Sequence, residues 1–174
     1  MQKSRIQNMV LSAMFLGIGI VLPLLTGQIK EVGDTLLPMH LPVLLCGFIC
    51  GSQYGFAVGI MLPFLRSLLF HMPPIYPNAV WMAVELATYG LVVGLMYSKL
   101  KNKKLVGTYV SLIVAMITGR IAWGITKWIL FGLQGKAWTL SLFIMGGFVD
   151  ALLGIVIQLI LVPTIVGLTK KWRK

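Results

Sequence analysis

The sequence predicts an all-α fold, an integral membrane six-helix bundle with both termini cytoplasmic. Three observations predict it. Of 174 residues, 58% are hydrophobic and only 11% charged, with a mean hydropathy of +0.92, far outside the range of soluble globular domains. The apolar residues fall in long runs separated by short polar or Pro- and Gly-rich stretches. The formal net charge is +11, yet the basic residues gather at the two chain ends and in one short connection, where they read as topology signals and not as a nucleic-acid face.

A helix rises about 1.5 Å per residue, so about 20 apolar residues cross a bilayer. On that rule the whole chain is one transmembrane domain, with spans over 8–25, 37–50, 54–70, 78–97, 105–131 and 139–168. The first follows Lys3 and Arg5 like a secretory signal, but no small-x-small cleavage site follows "VLPLLTGQ" and more spans come after, so it reads as retained. The second is short, and its Pro38 and Pro42 suit a first helical turn. Its Cys46 and Cys50 have no further Cys or His at ligand spacing, which predicts buried thiols and no metal site. The third opens on "GSQYGFAVG", with Gly51, Gly55 and Gly59 at four-residue spacing, and the first carries Ala13 and Gly17 at the same spacing. Small residues so placed let helices approach closely, either inside the bundle or against another membrane subunit.

Six spans put both termini on one side. Lys3, Arg5, Lys99, Lys101, Lys103, Lys104, Lys170, Lys171, Arg173 and Lys174 share that side, against only Lys30 and Lys136 in the opposite connections, so it is the cytoplasmic one. The outward connections are then "TGQIKEVGDT" (26–35), "HMPPIYPN" (71–78) and "GLQGKAW" (132–138). A Pro-rich turn makes a stiff wall, whereas a polar loop containing glycine can move as a lid.

Ionisable residues inside a membrane cost a few kcal/mol each, so they face a cavity or one another. Five fall within predicted spans: Arg66, Glu85, Arg120, Lys127 and Asp150. Although the helices alternate in direction, all five land in the outer half, with Glu85 and Arg120 about 10 Å in. Asn78, Trp81 and Glu85 follow i, i+3, i+7, as do Arg120, Trp123 and Lys127, so each trio lies along one helical face. The pattern predicts an outward-facing polar cavity. Three cations against two acids leave a net charge of +1, which tolerates a ligand with a carboxylate or other electron-rich groups, while Trp81 and Trp123 offer packing for a flat or apolar body. The competing reading is that the arginines pair with the acids to hold the bundle and Lys127 snorkels to the headgroups.

Enzyme signatures are missing. The sequence has no G-x-x-x-x-G-K-[ST] phosphate loop, no G-x-S-x-G elbow and no H-E-x-x-H, and Ser52 lies far in depth from His40 and His71, the only histidines. Neither an enzymatic activity nor a cofactor is expected.

The first-helix small residues, "LPMHLPVLLCGFICGSQYGFAVG", "MPPIYPNAVWMAVELATYGLVVGLMY" and "AMITGRIAWG" together resemble the substrate-binding S components of energy-coupling factor (ECF) vitamin transporters, over essentially the whole chain. The resemblance implies a bacterial plasma-membrane protein that captures a vitamin or precursor from outside with high affinity, beneath a mobile loop after the first helix. It implies docking through that helix on a membrane-embedded T component driven by two ATPase subunits. The family's docking motif is typically Ala-x-x-x-Ala, whereas here Ala13 is followed by Gly17. "MHLPV", with His40, and "PNAVWMAVEL" look most like the pantothenate and pyridoxine-related branches. The substrate-binding candidates are therefore His40, Arg66, Asn78, Trp81, Glu85, Arg120, Trp123, Lys127 and Asp150. The alternative functions are a stand-alone secondary transporter in which Glu85 or Asp150 carries a proton, and an assembly subunit with no ligand.

Overall fold

A computed structural model describes residues 5–26, 37–100 and 104–171. Among these residues there are seven α-helices and no strand: α1 (Arg5–Val21), α2 (His40–Cys50), α3 (Ser52–Phe70), α4 (Val80–Leu100), α5 (Lys104–Leu133), α6 (Leu140–Ile144) and α7 (Leu152–Lys171). A 3-10 turn, Leu22–Thr26, prolongs α1, and wide turns at Ile75–Ala79 and Met145–Val149 precede α4 and follow α6. Among the described residues five stretches are long and apolar enough to cross a membrane: Arg5–Leu24, Ser52–Phe70, Ile75–Leu100, Leu105–Leu133 and Leu152–Thr169. His40–Cys50 and Leu140–Val149 are apolar but shorter.

The short α2 is the centre of the bundle. Of its 11 residues only Leu41 and Ile49 escape full burial, because α1, α3, α4 and α7 all pack around it. A helix that is apolar all round suits either a protein core or lipid, and with 11 residues this one is short for a crossing of its own, as expected of a helix covered by its neighbours. Val43, Leu44 and Cys46 from α2 meet Leu62, Leu86, Tyr89, Leu112 and Val162 in the main core. Cys46 and Cys50 are buried free thiols.

Glycines set the distance between α3 and α4. A Cβ on Gly55 would lie 2.7 Å from the Gly90 carbonyl oxygen, and one on Gly59 would lie 2.5 Å from the Leu86 carbonyl. The backbones themselves are in contact, so these two glycines serve internal packing. Gly51 differs: with φ at +103° it makes the tight link from α2 to α3, a conformation open to glycine at little cost. On α1, Ala13 and Gly17 belong to the exposed side with Met14 and Ile18, and the space beside Gly17 is open to 4 Å.

The continuous helix expected over 139–168 is corrected to two helices. The chain leaves α-geometry at Met145–Val149, where the Asp150 N–H donates to the Met145 carbonyl at 2.9 Å, and α7 resumes at Leu152. Gly146 and Gly147 supply the weak point, and the Trp123 indole packs against both. The expected lid over 26–35 lies outside the described residues beyond Thr26.

Candidate functional site

Helix directions determine what meets. Arg66 lies in the last turns of α3, Trp81 and Glu85 in the first turns of α4, Arg120, Trp123 and Lys127 in the second half of α5, and His40 begins α2. These side chains, with Asn78 from the turn before α4 and Asp150 from the broken helix, line one cavity of about 590 Å³. Pro73, Pro74 and Pro77 supply part of its wall. All nine sequence-selected ligand candidates thus border the same space, though not in the same state: Arg66, Glu85 and Arg120 are buried, Lys127 is half-buried, and Asp150 is exposed at the helix break.

The polar centre is Glu85. Arg120 Nη1 lies 2.9 Å from Glu85 Oε1, the Tyr89 hydroxyl donates to the same oxygen at 3.2 Å, and His40 Nε2 lies 3.4 Å from it. The His40 and Tyr89 rings meet edge to face at 5.2 Å, so each holds the other's orientation. Three helices are joined through one oxygen atom. A buried carboxylate with a single cation and further donors is electrostatically compensated, and breaking up such a pair costs about 3–5 kcal/mol.

Arg66 takes a different partner. Its Nη1 donates to the Ile20 carbonyl at 2.8 Å and its guanidinium lies 5.5 Å from the Phe70 ring. Ile20 is in the last turn of α1, whose carbonyls lack helical partners, so Arg66 fastens the end of α1 to the cavity wall.

Lys127 lies against aromatic rings. Its Nζ stands 4.2 Å from the Trp123 ring, 4.7 Å from Trp81 and 5.0 Å from Trp138, a box of three indoles closed by Phe131 5.2 Å from Trp138. Indole faces are electron-rich, and each such contact is worth about 0.5–2 kcal/mol. The box therefore holds an ammonium in an aromatic wall and ties the α5–α6 connection to α4.

Tyr89, Phe131 and Trp138 were absent from the sequence-derived site. The first two were within reach of the same reasoning, since Tyr89 follows Glu85 and Phe131 follows Lys127 by one further four-residue step on the same faces. Trp138 lies in a connection, outside any helical period.

A cavity with aromatic walls, cationic donors and a compensated carboxylate can bind a small polar solute. Among the described residues no group of three His, Cys, Asp or Glu side chains is placed to hold a metal ion. No curated protein and no solved structure matches the chain. The family model described as "ECF transporter, substrate-specific component" matches residues 7–166. With that match spanning nearly the whole chain and several helices of membrane-crossing length, this multi-pass membrane protein belongs to the ECF transporter substrate-specific component family.

Proposed function

We propose that this chain captures a vitamin or vitamin precursor from outside a bacterial cell in the cavity around Glu85 and Arg120, and delivers it inward as the S component of an ECF-type ABC transporter. The observation that carries the reading is the convergence of buried charge and indole rings on one cavity of about 590 Å³, within a chain of that family. The bound solute is a pantothenate-like acid or a pyridoxine-type ring: Arg120, Arg66 and Lys127 suit the first, while Glu85 and Asp150 offer acceptors to hydroxyls or an amine of the second. The nine lining candidates, His40, Arg66, Asn78, Trp81, Glu85, Arg120, Trp123, Lys127 and Asp150, form the substrate site.

Six crossings follow if α2 is a short enclosed crossing and α6 with α7 a broken sixth. Both termini are then cytoplasmic, where the ten clustered basic residues belong, and the cavity opens outward. The exposed α1 side carrying Ala13 and Gly17 docks on a T component, and two ATPase subunits supply the energy. The connection over 26–35 covers the site.

Purified protein screened against B vitamins by thermal shift and native mass spectrometry tests capture; a panel in which no vitamin binds overturns it. Uptake in cells with and without a complete ATPase module tests the division of labour. Uptake that persists without the ATPases and collapses with the proton gradient establishes a stand-alone transporter instead.

A further inference from the structure

We propose that Tyr89 and Gly119 are positioning residues for the solute site: the tyrosine holds Glu85 and His40 in the arrangement that the cavity presents, and the glycine makes the room the tyrosine needs. The inference rests on the capture reading above and adds to it two residues that do not border the cavity.

His40, Glu85 and Arg120 all border the cavity, and they meet at one atom, Glu85 Oε1, with Arg120 Nη1 at 2.9 Å and His40 Nε2 at 3.4 Å. A solute that draws on Arg120 or His40 competes with those two contacts. The Tyr89 hydroxyl donates to the same oxygen at 3.2 Å, but it is shielded from that competition, because the residue is 1% exposed and lies off the cavity border. Tyr89 follows Glu85 by four residues on α4, so donor and acceptor share one face of one helix. A hydrogen bond to a carboxylate is stronger than one between neutral groups, and a donor locked by its own packing keeps the acceptor in place while the ligand-facing contacts change.

The Tyr89 ring is itself locked. His40 meets it edge to face, with centroids 5.2 Å apart and planes at 66°. Against α5, a Cβ on Gly119 would lie 2.7 Å from the ring's Cε1, 2.8 Å from Cδ1 and 3.0 Å from Cζ, so the ring rests on bare helix backbone at the residue directly before Arg120. Glycine weakens a helix interior relative to alanine, yet Gly119 stands well inside the 30-residue α5. The close approach of the ring accounts for it: a side chain there pushes the ring aside, and with it the hydroxyl on Glu85 and the edge contact with His40. One tyrosine thus ties α2, α4 and α5 together at the level of the Glu85–Arg120 pair.

Isothermal titration of the purified full chain with pantothenate, pyridoxine and the other B vitamins tests the assignment. Tyr89→Phe keeps the ring and removes only the hydroxyl, and it is expected to weaken the vitamin that binds by about fivefold or more. Gly119→Ala displaces the ring and is expected to weaken it at least as much. Because both changes remove the same contact, the double variant is expected to fall short of the product of the two single effects by about threefold or more. Val162→Ala is the control for stability alone: it truncates a fully buried core residue off the cavity border and is expected to lower Tm at least as far as Tyr89→Phe, with affinity within about twofold of the parent's. Should Gly119→Ala fail to fold, Tyr89→Phe set against Val162→Ala decides. A Tyr89→Phe protein that loses less than fivefold, single effects that multiply in the double variant, or a Val162→Ala protein that loses as much affinity as Tyr89→Phe overturns the inference while capture stands. A parent chain that binds none of the vitamins overturns capture itself, and the inference with it.

Discussion

Replacing Gly59 by alanine tests whether the α3–α4 contact sets the geometry of the cavity. The new Cβ would lie 2.5 Å from the Leu86 carbonyl carbon and oxygen and 2.6 Å from the Ala87 nitrogen, all backbone atoms of α4. Ordinary contact begins at 3.4 Å, so the helices must part locally by about 0.9 Å. No rotamer change can absorb this, since neither neighbour is a side chain. Overpacking of this kind costs about 1–3 kcal/mol, and a backbone-on-backbone clash belongs in the upper half of that range. For a chain of this size, 2 kcal/mol corresponds to a fall in Tm of about 4–8 °C. The displaced peptide directly follows Glu85, whose 2.9 Å contact with Arg120 tolerates only a few tenths of an ångström. Gly59→Ala is therefore expected to lower Tm in detergent and to weaken ligand binding together. Gly17→Ala is the control: nothing lies within 4 Å of its added Cβ, and as alanine favours a helix more than glycine does, its Tm is expected to equal or slightly exceed the parent's. A Gly59→Ala protein melting within 1 °C of the parent, against the shift expected for this overpacking, would refute the argument.

Three further outcomes follow from the same geometry. Glu85→Ala leaves Arg120 without its counter-charge and is expected to cost about 3–5 kcal/mol in unfolding experiments, much of it recovered when Arg120→Met is added; an additive double variant contradicts the pairing. Trp138→Ala removes one indole from around Lys127 and is expected to cost about 0.5–2 kcal/mol and to change the intrinsic fluorescence of the remaining tryptophans, both measurable in one thermal melt. Gly17→Leu is expected to leave vitamin binding intact in the purified protein and to block ATPase-dependent uptake in cells, because a bulky side chain on an open face prevents close helix approach; normal uptake places docking elsewhere.

Much of the fold and of the candidate site was legible in the chain. Hydropathy and run length identify a membrane protein made of helices, because a bilayer accepts a continuous apolar segment only when its backbone bonds are satisfied within it. Helical periodicity placed Trp81 with Glu85 and Arg120 with Trp123 and Lys127 on common faces, and counting rise per residue from alternating helix starts brought Arg66 to the same level. What rise and period describe is position along and around one helix.

Which helix stands beside which is a lateral property, and a one-dimensional pattern does not encode it. Packing therefore decided that Arg120 pairs with Glu85 while Arg66 reaches the end of α1, and that Lys127 ends among three indoles, one of them from a connection. It also decided that α2 sits enclosed at the centre, where a short helix buries every side. The helix predicted over 139–168 breaks at Gly146 and Gly147, where Trp123 from α5 packs, a contact made 23 residues away along the chain and visible only once the helices are assembled. Energies of a few kcal/mol per buried charge make such lateral choices decisive, because each ionised group must find the one neighbour that compensates it.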